Sequence, residues 1–464
     1  MASSQGAPKP TLVAEPVKSA QDIIGAKKAG KAIEEIFNVI HPAPARTALD
    51  QIFTRESAGQ FLDRVASFSR LLSDEQTYEQ ALAALDGAIE QAEGVRDQVM
   101  AELYRQIRPV ERSYRMVQLF FENAEVRDTL QRPPVEFYVF NADSRAIRSA
   151  TDSSTVAAVD EFVQSRNDTF NFRQFICNLV VPGYVPDPVR KRFEDMASQW
   201  GMLLVGDLRD EPSFRALRDQ FRTDGGSYEF LKRPEDTAAS DVVVAGYAKL
   251  RDRHWFEEPD PDAPTEDADL YAPSSLLFAG ALARTDRTIG AGIAQGPVGM
   301  IFGKVRGAER ARVEPRISQM EHLTMERQVV TIIRNEDNDL VFVGSRSQAE
   351  DPNGVLKFFT SYRVLRYIER RIAVYLRRVA EQRLTRDLVK DQVRNPIEEF
   401  LDNEKKKGTI YNYDLDLDMD EDKFAMGQLD ISLEVLPVGP AESFNLKIDT
   451  PNFRKANAGG EQAA

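Results

Sequence analysis

The chain has 464 residues, 42% hydrophobic and 29% charged, with a formal net charge of -14 from 60 Lys and Arg against 74 Asp and Glu. That length supplies roughly two or three hydrophobic cores, and the negative balance argues against a phosphate backbone as partner. No apolar run approaches the ~20 residues needed to cross a bilayer. The opening MASSQGAPKPTLVAEPVKSA has no apolar signal stretch, so a cytoplasmic location is expected.

Residues 1–20, rich in Pro, Ser, Ala and Gly, read as a flexible arm. Residues 21–130 read as a helical N-terminal region, because Leu82, Leu85, Ile89, Val99, Leu103 and Ile107 recur near helical spacing. The period then changes. VEFYVFNAD, FICNLVVPGY, MLLVGDL and DVVVAGY are short, nearly continuous apolar runs, with helical stretches such as DPVRKRFEDMASQW and EPSFRALRDQF between them. Residues 131–357 are therefore expected to form an α/β core on a mostly parallel sheet, interrupted by loops at 256–273 and 288–312. The single Cys177 lies in one of these runs and is expected to be a buried, inert thiol.

RQVVTIIRNEDNDLVFVGSR predicts two strands around an Asn/Asp turn. Residues 358–464 are expected to form a C-terminal domain: a long basic helix over 358–393, then strands within 410–449. Tyr411, Tyr413, Leu415, Leu417 and Met419 alternate with Asn412 and three Asp residues. Leu429, Ile431, Leu433 and Val435 repeat the pattern, as do Phe444, Leu446 and Ile448, so each strand has one apolar and one wet face. The fold class is α/β, mixed with α+β elements.

Candidate chemistry is sparse. The stretch GAGIAQGPVGMIFGK, Gly290 to Lys304, suggests a phosphate loop, but Gly299 stands one residue too close to Gly303, and Val305 replaces the magnesium-binding Ser or Thr. It also lacks the third glycine of a dinucleotide fingerprint, where Gln295 stands. A flexible surface loop is the expected alternative. Asp414, Asp416, Asp418 and Asp420 fail the EF-hand pattern, with Met419 and Ala425 at its Gly and Glu positions, and read as the wet side of a strand. His41, His254 and His322 have no neighbouring ligand at metal spacing. No catalytic, cofactor-binding or metal residues are assigned.

The basic helix carries more information. At helical spacing Leu365, Ile368, Ile372, Tyr375, Leu376 and Val379 gather on one side, and Arg363, Arg366, Arg370 and Arg377 on the other. One face is expected to pack; the other reads either as a solvated charged face or, because Arg forks suit carboxylates, as a docking surface for a partner protein.

Several stretches together resemble the large sheath subunit of type VI secretion systems, the TssC/VipB family: ERSYRMVQLFFENAE (Glu111 to Glu125), NLVVPGYVP (Asn178 to Pro186), YAPSSLLFAGALARTDRTIG (Tyr271 to Gly290), PRISQMEHLTMERQVVTII (Pro315 to Ile333) and FFTSYRVLRYIERRIAVYL (Phe358 to Leu376). The closing LDISLEVLPVGPAESFNLKID (Leu429 to Asp449) fits the same family's last strands. The segment AGIAQGPVGMIF lacks the aromatic and Pro-containing stretch of the better-known branch and is similar to the divergent Bacteroidetes-like branch.

The resemblance implies a structural part with no active site. Such subunits pair with a small TssB/VipA-like sheath subunit and stack as hexameric rings into a helical tube. That tube surrounds an inner tube of Hcp-like protein and meets a baseplate; a AAA+ unfoldase recycles it in many systems. Strand addition between neighbours is expected at Tyr411, Tyr413, Leu415, Leu417, Leu429, Ile431, Leu433, Phe444, Leu446 and Ile448. Inner-tube contact is expected at Arg363, Arg366, Arg370 and Arg377. The alternatives are a sheath protein of a phage-tail-like contractile injection system and, from another class, a nucleotide-using α/β enzyme.

Overall fold

The computed structural model describes residues 78–126, 135–140, 147, 154–169, 176–221, 236–255, 257, 269–288, 292–350, 354–380, 385–418 and 420–441. The expected arm at 1–20, His41 and the expected strand at 444–448 lie outside the described residues, as does Met419. The chain divides into two units, Met1–Arg105 and Gln106–Ala464. Helix α1 (Tyr78–Ala124) runs through the division. Its Pro109 lacks the N–H that would bond to the carbonyl of Arg105, so the helix ladder is interrupted beside that boundary.

In the second unit, β1 (Asn178–Tyr184), β2 (Leu203–Asp207), β3 (Asp241–Ala245), β6 (Val330–Arg334) and β7 (Leu340–Val343) form one sheet in the order β1-β2-β3-β6-β7. The first four run parallel and β7 runs antiparallel to β6. Both β2 and β3 are buried along their whole length, which is why LLVGD and DVVVA carry continuous apolar residues rather than alternation. Helix α2 (Ser154–Thr169) precedes the sheet, and α3 (Asp187–Gln199) connects β1 to β2. A separate antiparallel ribbon, β4 (Tyr247–Arg251) with β5 (Leu270–Pro273), leads into α4 (Ser275–Arg287).

The main core lies under this sheet, where Val205, Val242, Val244, Val330, Ile332 and Phe342 meet Leu277, Phe278 and Ala281 of α4. On the other face Val189, Phe193, Met196 and Ala197 of α3 pack on Val181 and Leu204. One ion pair is buried there: Arg190 Nε donates to Asp241 Oδ2 at 3.0 Å, and its Nη2 donates to Oδ1. Gly206 makes room for it, since a Cβ at that position would stand 2.6 Å from Arg190 Nη1.

The β6–β7 turn matches the expected Asn/Asp turn. Asn338 takes φ 65 and Asn335 Oδ1 accepts the N–H of Asp339 at 2.8 Å.

Four expectations need correction. The described part of VEFYVFNAD, residues 135–140, does not enter the sheet: it forms no strand, and Val135 and Phe137 pack instead on the cluster of Phe120 and Ala124. The loop expected at 256–273 ends in a fully buried strand, β5. The stretch 292–304 is packed rather than a flexible surface loop. Gly296 abuts the Phe359 ring, and a Cβ on Gly303 would stand 2.5 Å from the Phe342 carbonyl oxygen. The long basic helix ends at Val379, giving α5 (Phe359–Val379). A short turn Arg386–Val389, opened by Thr385 accepting from Leu388 N, leads to α6 (Asn395–Lys406). Beyond α6 come β8 (Ile410–Asp418) and β9 (Asp430–Pro437), paired antiparallel.

Candidate assembly interface

Helix α5 is the spine of the candidate site, and it is occupied on two sides. Val364, Ile368, Ile372 and Val379 pack with Val389, Val393, Ile397 and Leu401, and with Ile410, Leu415 and Leu417 of β8. The apolar side read from the sequence thus faces the C-terminal hairpin.

The arginine side faces the α/β core, not a single open surface, and this corrects the expected docking face. Arg363 is only 1% exposed and its Nη2 pairs with Oδ2 of Asp286 at the end of α4. Arg370 Nη2 donates to the carbonyls of Trp200 at 2.6 Å and Gly201 at 2.8 Å, closing the end of α3. Arg366 is half-buried over the Tyr362 ring and pairs with Glu369 at 2.7 Å. Arg377 alone of the four is exposed. The guanidinium groups turn inward because backbone carbonyls and Asp286, far away in sequence, supply acceptors on that side.

The hairpin keeps the expected alternation with one exception. Leu415 and Leu417 are buried, Tyr413 is partly buried, and Asp414, Asp416 and Asp418 are exposed. Tyr411 is exposed despite its place in the apolar series. The β8–β9 register shifts between Ile410 and Asn412, and this irregularity turns Ile410 inward in its stead. Tyr413 donates its hydroxyl to Asp402 Oδ1 at 2.9 Å; burial and that hydrogen bond push its pKa up to about 12. Leu429, Ile431 and Leu433 rest partly covered against the same cluster.

Between helix and hairpin lies a groove of about 440 Å³, lined by Leu365, Ile372, Leu376, Ile397, Leu415 and Leu433 among others. β8 and β9 each have one partner in a two-stranded sheet, so an outer edge of each is unpaired among the described residues. An apolar groove beside a free strand edge suits a strand whose alternate side chains enter the groove.

Other candidates resolve into structural roles. Lys304 pairs with Asp339 at 2.6 Å, and its carbonyl accepts from Arg284 at 2.7 Å. His254 is exposed, and His322 meets Glu326 at 2.5 Å. Cys177 is half-buried; desolvation raises its pKa against the pull of Arg370. Among the described residues no group of His, Cys, Asp and Glu is placed to hold a metal, and no helix is long and apolar enough to cross a membrane.

The profile of the type VI secretion system TssC/VipB central domain matches residues 102–345, more than half of the chain. The chain belongs to the TssC/VipB family. It is a structural subunit of a contractile sheath. The matched region runs from within α1 to just past β7, so α5 and the hairpin of this TssC/VipB member lie beyond it. No curated protein sequence matches the chain.

Among solved structures, the chain is similar to the anti-feeding prophage baseplate, 6-fold symmetrised, at 18% identity and TM-score 0.47, covering 67% of this chain and 81% of that one. It is similar to the anti-feeding prophage helical sheath in the contracted state at 19% identity and TM-score 0.46, covering 65% and 75%. The sheath complex of an extracellular contractile injection system in the contracted state follows at 13% identity and TM-score 0.46, covering 65% and 82%. These likenesses are distant, and family membership rests on the 102–345 match.

Proposed function

We propose that the chain polymerises with a small TssB/VipA-like sheath subunit into hexameric rings, stacked as a helical tube around an Hcp-like inner tube in the cytoplasm. Contraction of that tube on its baseplate drives the inner tube outward, as in type VI secretion. The subunit catalyses nothing; the work comes from a polymer with two packing states.

The observation that carries this reading is the open β8–β9 edge beside the apolar groove against α5. An arm from a neighbouring subunit adds its main-chain hydrogen bonds to that edge and buries alternate side chains in the groove. Such a head-to-tail contact does not close, which yields a helical polymer. Tyr411, Tyr413, Leu415, Leu417, Leu429, Ile431 and Leu433 border the joint, with Phe444, Leu446 and Ile448 contributing from beyond the described residues. The exposure of Arg377, and in part of Arg366, supports direct contact of these two with the inner tube, whereas Arg363 and Arg370 act by fixing α5 to the core.

Deletion of residues 409–464 tests the joint. The truncated chain is expected to keep its small partner and form no tubes; tubes of normal length from it would contradict the proposal.

A further inference from the structure

The groove beside the hairpin opens along one strand. Ile431, Leu433 and Val435 of β9 line it, whereas β8 contributes Leu415. The edge it adjoins, unpaired among the described residues, is therefore that of β9. Across from it stand Leu365, Ile372 and Leu376 of α5, with Ala373 exposed. An apolar groove beside a row of unpaired N–H and C=O groups accepts almost any extended chain. Left bare, it would join subunits indiscriminately.

The chain itself leads back to this edge. β9 ends at Pro437; the Val438 N–H still bonds to the Thr409 carbonyl at 3.3 Å, and a Cβ on Gly439 would stand 3.3 Å from the Phe358 ring. Gly439 and Pro440 are turn residues. Phe444 is three positions past Ala441, where the described residues end, and so stands within ~11 Å of it. Phe444, Leu446 and Ile448 alternate with Asn445 and Lys447, which is strand period. Pro451, with no N–H to give, ends the run. Five extended residues span ~15 Å and fit along the eight of β9. With the three apolar side chains turned toward α5, Asn445 and Lys447 fall on the wet face. There Asp414 stands opposite Glu434 and Asp418 opposite Asp430, like charges facing each other at a cost. Lys447, the one charge within 444–448, has the opposite sign.

We infer that in the free subunit residues 444–448 of the same chain cover the β9 edge and fill the groove, and that assembly exchanges them for the arm of a neighbouring subunit. The inference rests on the sheath reading above, which supplies the neighbour. Tether length selects this occupant. The short connection from Val438 to Ser443 holds the segment at an effective concentration of about a millimolar, whereas a second copy or a small partner at micromolar concentration competes ~1,000-fold less well. The balance turns only where a growing ring holds a neighbour's arm equally close. The segment thus acts as a guard that reserves strand addition for the tube end.

The test uses the full chain carrying Cys177→Ser, Leu433→Cys and Leu446→Cys, treated with a bismaleimide of about 8 Å reach, which tolerates a register shift of two residues. If that pair lowers Tm, Ile431→Cys with Ile448→Cys takes its place. At micromolar protein, the link within one chain is expected to exceed linked dimer ~100-fold or more. In tubes formed with the small sheath subunit, the link within one chain is expected to disappear. Dimer as the main product of the free chain, or no link from either pair, would overturn the inference; tubes from the wild-type pair would then leave the sheath reading standing. A link within one chain that persists in tubes would make 444–448 a permanent third strand and overturn the exchange. No tubes from the wild-type pair would remove the sheath reading and the exchange with it.

Discussion

Asp207 Oδ1 accepts the backbone N–H of Ser275 at 2.8 Å and so fastens the end of β2 to the start of α4. Its other oxygen accepts the N–H of Gly183 at 2.8 Å, which joins β1 to the same carboxylate. Three elements that are distant in sequence thus meet on one fully buried side chain. Asp207→Ala strands two buried donors and is expected to cost about 2–4 kcal/mol in urea unfolding. A loss below ~1 kcal/mol would show that water replaces the carboxylate.

The same carboxylate makes stability depend on pH. Burial raises its pKa to about 6, while hydrogen bonds from Ser275 and Gly183 oppose the rise. In the unfolded chain it titrates near ~3.9, so the folded state holds the proton more tightly. Its contribution is fully present below the unfolded value and is lost as pH rises through the window up to about 6. The stability of the wild type relative to Asp207→Asn is expected to fall by ~2 kcal/mol between pH 4.5 and 7. A difference that does not move with pH would contradict this.

Arg363 and Asp286 give a paired prediction. Arg363→Met leaves the Asp286 carboxylate enclosed without its cation and is expected to cost ~3 kcal/mol. Among the described residues Arg363 Nε and Nη1 have no hydrogen-bond partner, so the pair carries its own desolvation burden. Arg363→Met with Asp286→Leu is expected to recover most of the loss. Thermal melts of the two single variants and the double variant decide it; additive losses would exclude coupling.

Much of the sheet was legible because its central strands, β2 and β3, are buried along their whole length. NLVVPGY, LLVGD and DVVVA are strands in the structure, and the interleaved α3 falls where DPVRKRFEDMASQW was read as helix. VEFYVF has the same composition, yet its aromatic residues found partners in Phe120, Phe121 and Phe162 instead of a strand. Local pattern does not distinguish those outcomes. The arginines of α5 were misread for a related reason: a helical wheel places charge outward by default, and the acceptors that draw Arg363 and Arg370 inward come from Asp286, Trp200 and Gly201. On α1, Ile107 belonged to a recognised periodicity yet is 43% exposed, and only burial separates it from Leu119, Phe120 and Ala124, which pack.

The glycines of the packed regions offer a steric test. In α4, a Cβ on Gly280 would stand 2.4 Å from the carbonyl oxygen of Phe120 in α1. Backbone cannot yield as a flexible side chain does, so Gly280→Ala is expected to cost about 1–3 kcal/mol, despite the ~1 kcal/mol that alanine gains in a helix. Chemical denaturation reads it, and a stabilised variant would mean that the two helices separate freely.

The groove predicts a phenotype of assembly without one of folding. Ile431 and Leu433 are only partly covered, so Ile431→Glu with Leu433→Glu is expected to lower Tm little while abolishing tubes. Tubes of wild-type length and yield from that variant would remove the groove from the joint.

The measurement that tests the central claim most directly is electron microscopy of the chain expressed alone and together with its small sheath partner. A contractile-sheath subunit predicts hollow, striated tubules that require both chains. Discrete particles in both samples would contradict it.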